Sequence, residues 1–168
     1  RRILSTLSLG LALGLGVGMG AAQAQANYPA KPIRIIISFP PGGPTDSSIR
    51  IIAEKLGELM KQPIFIENRA GAGGNVGTQA AARAEPDGYT FLASSSAFAV
   101  NPSMYDGKAG YDPVKDLTPV GLIGNAPLVL VVPTASPFKT LGDVVKAAKA
   151  QPGFINYATS GNGTVAHL

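Results

Sequence analysis

The sequence predicts an α/β fold in which a parallel sheet is covered by helices on both faces. Short β-branched runs alternate with segments of helical period, the pattern of successive βαβ units. Gly-rich turns stand between a run and the helix that follows it, at Gly42-Gly43 and again at Gly71, Gly73 and Gly74. The chain has no cysteine, so a disulfide framework, a thiolate nucleophile and a Cys-ligated metal are excluded, and the fold rests on its apolar core.

Ile33, Ile35, Ile36 and Ile37 read as a buried parallel strand. Gly42 and Gly43 let the backbone turn tightly, and the helix beyond places Ile49, Ile52, Ala53, Leu56, Leu59 and Met60 on one face, with Thr45 or Asp46 suited to cap its start. A second strand, Ile64 to Glu67, leads through the glycines of residues 69–76 into a helix reaching Ala84, whose start Asn75 is expected to cap. A third strand, Tyr89 to Ala93, ends in Ser94, Ser95 and Ser96. Residues Asn101 to Thr118, with Pro102, Gly107, Gly110 and Pro113, read as a crossing segment. Beyond it, Pro119 to Gly124 and Leu128 to Val132 are expected strands, and Leu141 to Ala150 is a helix expected to bury Leu141, Val144, Val145 and Ala148. Phe154 to Ala158 is a further expected strand, ending in the turn Thr159 to Thr164 before another helix. A lobe boundary falls near Gly124 to Pro127.

Four expected strand ends thus carry small, hydrogen-bonding residues, and ligands of open α/β sheets bind beyond the carboxyl ends of the strands. Unpaired N–H groups and the positive end of a helix dipole suit a carboxylate or phosphate there. The expected anchors are backbone N–H groups of Gly42, Gly43 and Thr45 and of Ala72, Gly73, Gly74 and Asn75. Ser94, Ser95, Thr159, Ser160 and Gly163 close the other walls. Phe39 either plugs the core or covers the apolar part of a ligand. Arg69 either braces Glu67 or Asp46 or faces solvent.

Enzyme motifs are absent. Glycines 71, 73 and 77 are spaced one residue too long for the dinucleotide fingerprint and follow the second strand rather than the first. No P-loop match exists, and Ser160 lacks the glycine that a nucleophile elbow places two residues before the serine. His167 is the single histidine, which excludes a multi-histidine metal site in this chain and reads as a helix-face residue. No cofactor is expected. Among the loop residues, titratable groups are limited to Asp46, Glu67 and Arg69, which offers little to a general acid or base.

Arg1 and Arg2 precede an uncharged apolar run, Ile3 to Ala22, which ends in small-x-small sites between Ala22 and Ala26, so residues 1–26 are expected to be a cleaved signal peptide and the protein to be periplasmic. Five glycines between Gly10 and Gly20 make that run a poor membrane anchor. Removing the leader takes two arginines and no acid, so the formal +4 falls to +2. The remaining Lys and Arg are scattered without interleaved aromatics, which gives no footing for nucleic acid. The sequence begins without Met, which reads as an incomplete N-terminus.

The start Asn27-Tyr28-Pro29 with Lys31-Pro32-Ile33, the loop Phe39 to Asp46, the loop Glu67 to Asn75, the run Pro86 to Thr90 and the segment Tyr157 to Leu168 together resemble the Bug or TctC family of periplasmic solute-binding proteins. These are the extracytoplasmic receptors of tripartite tricarboxylate transporters. The resemblance implies a type II periplasmic-binding-protein-like fold whose two lobes close on a small carboxylate: an amino acid, a di- or tricarboxylate or an aromatic acid. It also implies a membrane permease as partner, a monomeric full-length receptor, and contact between Asp46 and a ligand ammonium group as an alternative to helix capping. Residues 27–124 would then form the first lobe and residues 125–168 the start of the second. Family members run well past Leu168, so the second lobe is expected to be incomplete here. Two other readings stand beside this one: a soluble hydrolase or transferase using the same anion pocket, and a truncated, non-functional remnant.

Overall fold

The computed structural model describes residues 28–167, so the leader expected over residues 1–26 lies outside the described residues. Three parallel strands, β1 (Ile33–Ile37), β2 (Ile64–Asn68) and β3 (Thr90–Ala93), pair in the order β2-β1-β3. Ile35 stands opposite Ile66 on one side and Phe91 on the other, which fixes the register of both ladders. The central strand is the most apolar of the three, as burial on both faces requires.

Helix α1 (Pro44–Met60) crosses from β1 to β2, and α2 (Asn75–Ala82) crosses from β2 back over β1 to β3. Two right-handed crossovers running in opposite directions put these helices on opposite faces of the sheet. Ile33, Ile35 and Ile37 therefore pack with Ile49 and Ala53 of α1 and with Ala93, while Phe39, Met60, Ile64, Ile66, Tyr89 and Phe91 extend the same cluster. Ile36 points the other way and is fully buried beneath α2. Gly77 of α2 lies so close that a Cβ there would come within 2.7 Å of Ser38 Cα. The expected α1 face is trimmed at its end, where Leu59 is exposed.

Helix starts differ from expectation. α1 begins with Gly43 at the N-cap in extended conformation and Pro44 in the first turn, so neither Thr45 nor Asp46 caps it. Gly74, with φ +100°, precedes α2, and Asn75 is already helical and does not cap. A third helix, α3 (Ala97–Met104), occupies what the sequence suggested was the start of a crossing segment. Pro102 sits inside it, and residues beyond Met104 form turns.

The N-terminal arm is strapped to the turn before β3. Tyr28 OH donates to the Gly88 carbonyl at 2.7 Å, the Ala30 N–H donates to Tyr89 OH at 2.9 Å, and Lys31 pairs with Asp87 at 2.7 Å. The Tyr28 and Tyr89 rings lie 5.0 Å apart, and Lys31 Nζ stands 4.5 Å from the Tyr89 ring centre.

Residues 119–158 depart most from expectation. Pro119 to Gly124, Leu128 to Val132 and Phe154 to Ala158 form no strands, and Val120, Leu122, Val129, Val131 and Phe154 are exposed. The fourth helix, α4 (Leu141–Ala150), forms where expected, with Thr140 and Asp143 making a reciprocal capping box. It buries none of its residues, and the expected buried face is open at Leu141, Val145 and Ala148. Lone apolar runs with one helix cannot supply both the ladder partners and the two covered faces that a parallel strand needs. Residues 162–167 are turns rather than the expected helix. Among the described residues no helix is long and apolar enough to cross a membrane.

Candidate functional site

The strand order places a topological switch point between β1 and β3, where the chain leaves the sheet towards opposite faces. Ser38, directly after β1, is fully buried, and its Oγ donates to Ser94 Oγ at 2.8 Å across that point. Phe39 packs against the core, and a Cβ on Gly74 would lie 3.5 Å from Phe39 Cζ, so the ring forms a floor between the first two loops.

Asp46 organises the first loop. It is almost wholly buried; Oδ2 accepts from the Gly42 N–H at 2.8 Å and from Arg50 Nε at 2.9 Å, while Oδ1 accepts from Asn68 Nδ2 at 2.8 Å. Asn68 Nδ2 also reaches the Phe39 carbonyl at 3.1 Å, and Arg50 donates to Asn68 Oδ1 at 3.1 Å, which ties the loop to the end of β2. The Arg50 guanidinium, then the Gly42 N–H and Asn68, hold the Asp46 carboxyl well below the usual carboxylate range. With these donors satisfied, Asp46 acts as a brace for the loop. Arg69 pairs with Glu67 at 2.6 Å, so the partner of Asp46 is Arg50.

Of the expected anchoring groups in this loop, the Gly42 N–H is taken by Asp46, whereas those of Gly43 and Thr45 have no hydrogen-bond partner among the described residues. Gly42 has φ +82° and needs glycine's freedom; Gly43, at φ −76°, does not. The free groups stand in the first turn of α1, where the dipole is positive.

The second loop is a run of left-handed residues: Ala72 at φ +48°, Gly73 at +63° and Gly74 at +100°. The N–H groups of Gly74 and Asn75 turn inward to the carbonyls of Gly71 and Ala72, so within the expected set only Ala72 and Gly73 keep unpaired N–H groups among the described residues. The Asn75 side chain faces α3, accepting at Oδ1 from Asn101 Nδ2 at 2.8 Å and from Tyr111 OH at 3.3 Å.

In the third loop Ser94 pairs with Ser38, and Ser95 Oγ accepts from the Ala97 N–H at 3.2 Å, serving the first turn of α3. The fourth loop folds on itself. Thr159 Oγ1 accepts from the Gly161 N–H at 3.3 Å and is hydrogen-bonded to His167 Nδ1 at 3.2 Å; Ser160 Oγ donates to Thr164 Oγ1 at 3.0 Å. This loop reaches the turn before α2 and α3 itself, since a Cβ on Gly73 would overlap the Asn162 carbonyl oxygen and one on Gly163 would overlap Asn101 Oδ1.

The structure thus brings Phe39, Gly74 and Ser94 together around Ser38, and Gly73 and Gly163 together around Asn101. It turns Asp46 and Asn75 to bracing roles. Ser38, Asn68, Asn101 and Thr164 were not picked out from the sequence. Ser38 carries the same signal as Ser94 to Ser96, a hydroxyl directly after a buried strand. Asn101 stands before Pro102 and so resembles a turn residue.

The family pattern described as tripartite tricarboxylate transporter family receptor, TctC, matches residues 48–168. Protein BugT of Bordetella pertussis is 43% identical over 143 residues, covering 84% of this chain and 44% of BugT. A protein of the tcbD-tcbE intergenic region of Pseudomonas sp. strain P51 is 39% identical over 141 residues, covering 84% of this chain and 42% of that one. The solved structure of R. palustris Rpa4515 with adipate is similar with a TM-score of 0.66 at 32% identity, over 74% of this chain and 42% of that one. A periplasmic transporter of known structure gives 0.51 at 44% identity, over 52% of this chain and 30% of that one. The chain spans less than half the length of each of these relatives.

Proposed function

We propose that this chain, which belongs to the tripartite tricarboxylate transporter receptor family, serves as a periplasmic solute receptor that captures a small carboxylate between two lobes and presents the closed form to a membrane permease. The observation that supports the reading is the packing of the loops after β1, β2 and β3 near the switch point and of residues 162–163 against Gly73 and Asn101, with N–H groups at Gly43, Thr45, Ala72 and Gly73 left without a partner among the described residues. Backbone donors held rigidly by Asp46, Arg50 and Asn68 suit a carboxylate without any titrating side chain in contact with it. Ser94, Ser95, Thr159, Ser160 and Gly163 line the remaining walls, and Phe39 supports an apolar portion of the ligand. That a relative is known with adipate supports a dicarboxylate among the candidates.

Residues 27–124 make the first lobe and residues 125–168 enter the second, while residues 1–26 are a leader removed on export. The receptor works as a monomer. Calorimetric titration of the full-length receptor with adipate, succinate, citrate and benzoate tests the reading. Saturable binding of one of them is expected; a chain that binds none and instead turns over a phosphate ester would overturn it.

A further inference from the structure

A buried polar cluster lies beside the turn that precedes α2. Asn101 of α3 is wholly buried, and its Nδ2 donates to the Gly73 carbonyl at 3.1 Å and to Asn75 Oδ1 at 2.8 Å. Its Oδ1 is buried with no hydrogen-bond partner among the described residues. That same oxygen is pressed against Gly163, where a Cβ would overlap it. Interior amide oxygens are rarely left unpaired, and one that is held so marks a position where surrounding structure dictates the side chain's placement.

Gly73 and Gly163 have φ of +63° and +83°, and each has no room for a side chain because the other wall occupies the space. The 161–164 turn is itself stiff, because Thr164, also buried, donates to the Gly161 carbonyl at 2.7 Å and accepts from Ser160. A shift of Asn101 therefore reaches both the Ala72 and Gly73 N–H groups and the Thr159 and Ser160 hydroxyls.

We propose that Asn101 is a positioning residue of the crevice, locking the Gly73–Asn75 turn to the 161–164 turn so that both walls take their ligand-holding geometry together. This rests on the receptor reading above, and the test separates the two.

Hydrogen exchange is measured on the full chain and on its Asn101→Ala and Asn101→Asp variants; the second keeps the volume and an acceptor but loses both donors. Amides of residues 71–76 and 159–165 are expected to exchange about tenfold faster in both variants, with β1 to β3 keeping their protection. Gly163→Ala should lower the melting temperature less in the Asn101→Ala background than in the parent, because the collision is then removed. With adipate as probe, dissociation should quicken about tenfold, most of the affinity change lying in the off-rate. Unchanged exchange in either loop, equal loss across the sheet, or additive melting shifts would overturn the proposal. A parent chain that binds no adipate, while the exchange and melting results hold, counts against adipate as the ligand and leaves the role of Asn101 established.

Discussion

Ser38 and Ser94 join the ends of two neighbouring strands through a 2.8 Å hydrogen bond, and the bridge spans the point where the chain parts towards opposite faces of the sheet. The contact carries the β1–β3 ladder one residue past the strands, beside the bond from the Ser38 N–H to the Ala93 carbonyl at 3.2 Å. Gly74 and Gly77 crowd Ser38 from α2, so only a small residue fits there.

Ser38→Ala should cost about 1 kcal/mol, the net worth of a hydrogen bond whose partner is left half-buried. Ser94→Ala should cost less, because the Ser38 hydroxyl can turn to the Ala93 carbonyl, 3.5 Å away. Urea midpoints of the two variants check the order.

Glycine-to-alanine changes should differ in size with local geometry. In a free helix interior alanine gains up to about 1 kcal/mol over glycine, but Gly77→Ala drives a Cβ into backbone at Ser38 Cα and the Arg69 carbonyl, 2.7 and 2.8 Å away. Overpacking of that kind costs about 1–3 kcal/mol. Gly42→Ala should cost about 1 kcal/mol for its left-handed backbone, whereas Gly43→Ala, extended and 3.6 Å from its nearest neighbour, should be close to neutral. Thermal unfolding of the three variants side by side tests this.

Acid should weaken the first loop through Asp46. Its folded pKa lies below the unfolded value of about 3.9, so its contribution is complete above that value and is lost as the pH falls towards the folded one. Asp87 is lowered too, first by its hydrogen bond from Lys31, and Asp112 and Asp143 by hydrogen bonds from neighbouring backbone N–H groups, so acid sensitivity is shared. Asp46→Asn should flatten part of the decline between pH 5 and the acid limit, about the window in which a paired carboxylate titrates. Stability curves against pH for parent and variant give the comparison; parallel curves would rule out this role for Asp46.

The N-terminal strap should depend more on its rings than on its ion pair. Lys31 and Asp87 are both exposed beyond a third, and such pairs contribute little. Asp87→Asn, which keeps an oxygen for the Tyr89 N–H, should lose little stability at physiological salt, while Tyr28→Ala, which loses a ring contact and a 2.7 Å hydrogen bond, should release the arm to limited proteolysis.

The βαβαβ layout was legible because its signals are local. Ile33 to Ile37 alternate onto two covered faces, and Ile49 and Ala53 fall at helical spacing against them. The glycine-rich turns likewise announce themselves one residue at a time. What escaped depends on distant partners. Asn75 resembles a cap until Asn101, 26 residues on, claims its side chain. Helix α3 is hidden by Pro102 and by the lack of a clear apolar face around it. Leu128 to Val132 has every intrinsic mark of a strand, but a strand is completed by the chain beside it, and none pairs with it here. The Gly-rich turns could be read from the sequence, but not which of their N–H groups the protein keeps for itself, as at Gly42, Gly74 and Asn75.

The stretch Leu128 to Val132 carries five consecutive aliphatic residues, no charge and no proline, and all five are open to solvent. Such a run is adhesive towards any free backbone edge it meets. The outer sides of β2 and β3 are the available edges on another molecule of the same kind. Colloidal behaviour of this chain should therefore be steeply concentration-dependent even while its sheet remains folded, with clustering set by this exposed run. A single lysine at Val129 or Val131 would act as a gatekeeper, holding light scattering low across a concentration series without altering the loops after β1, β2 and β3.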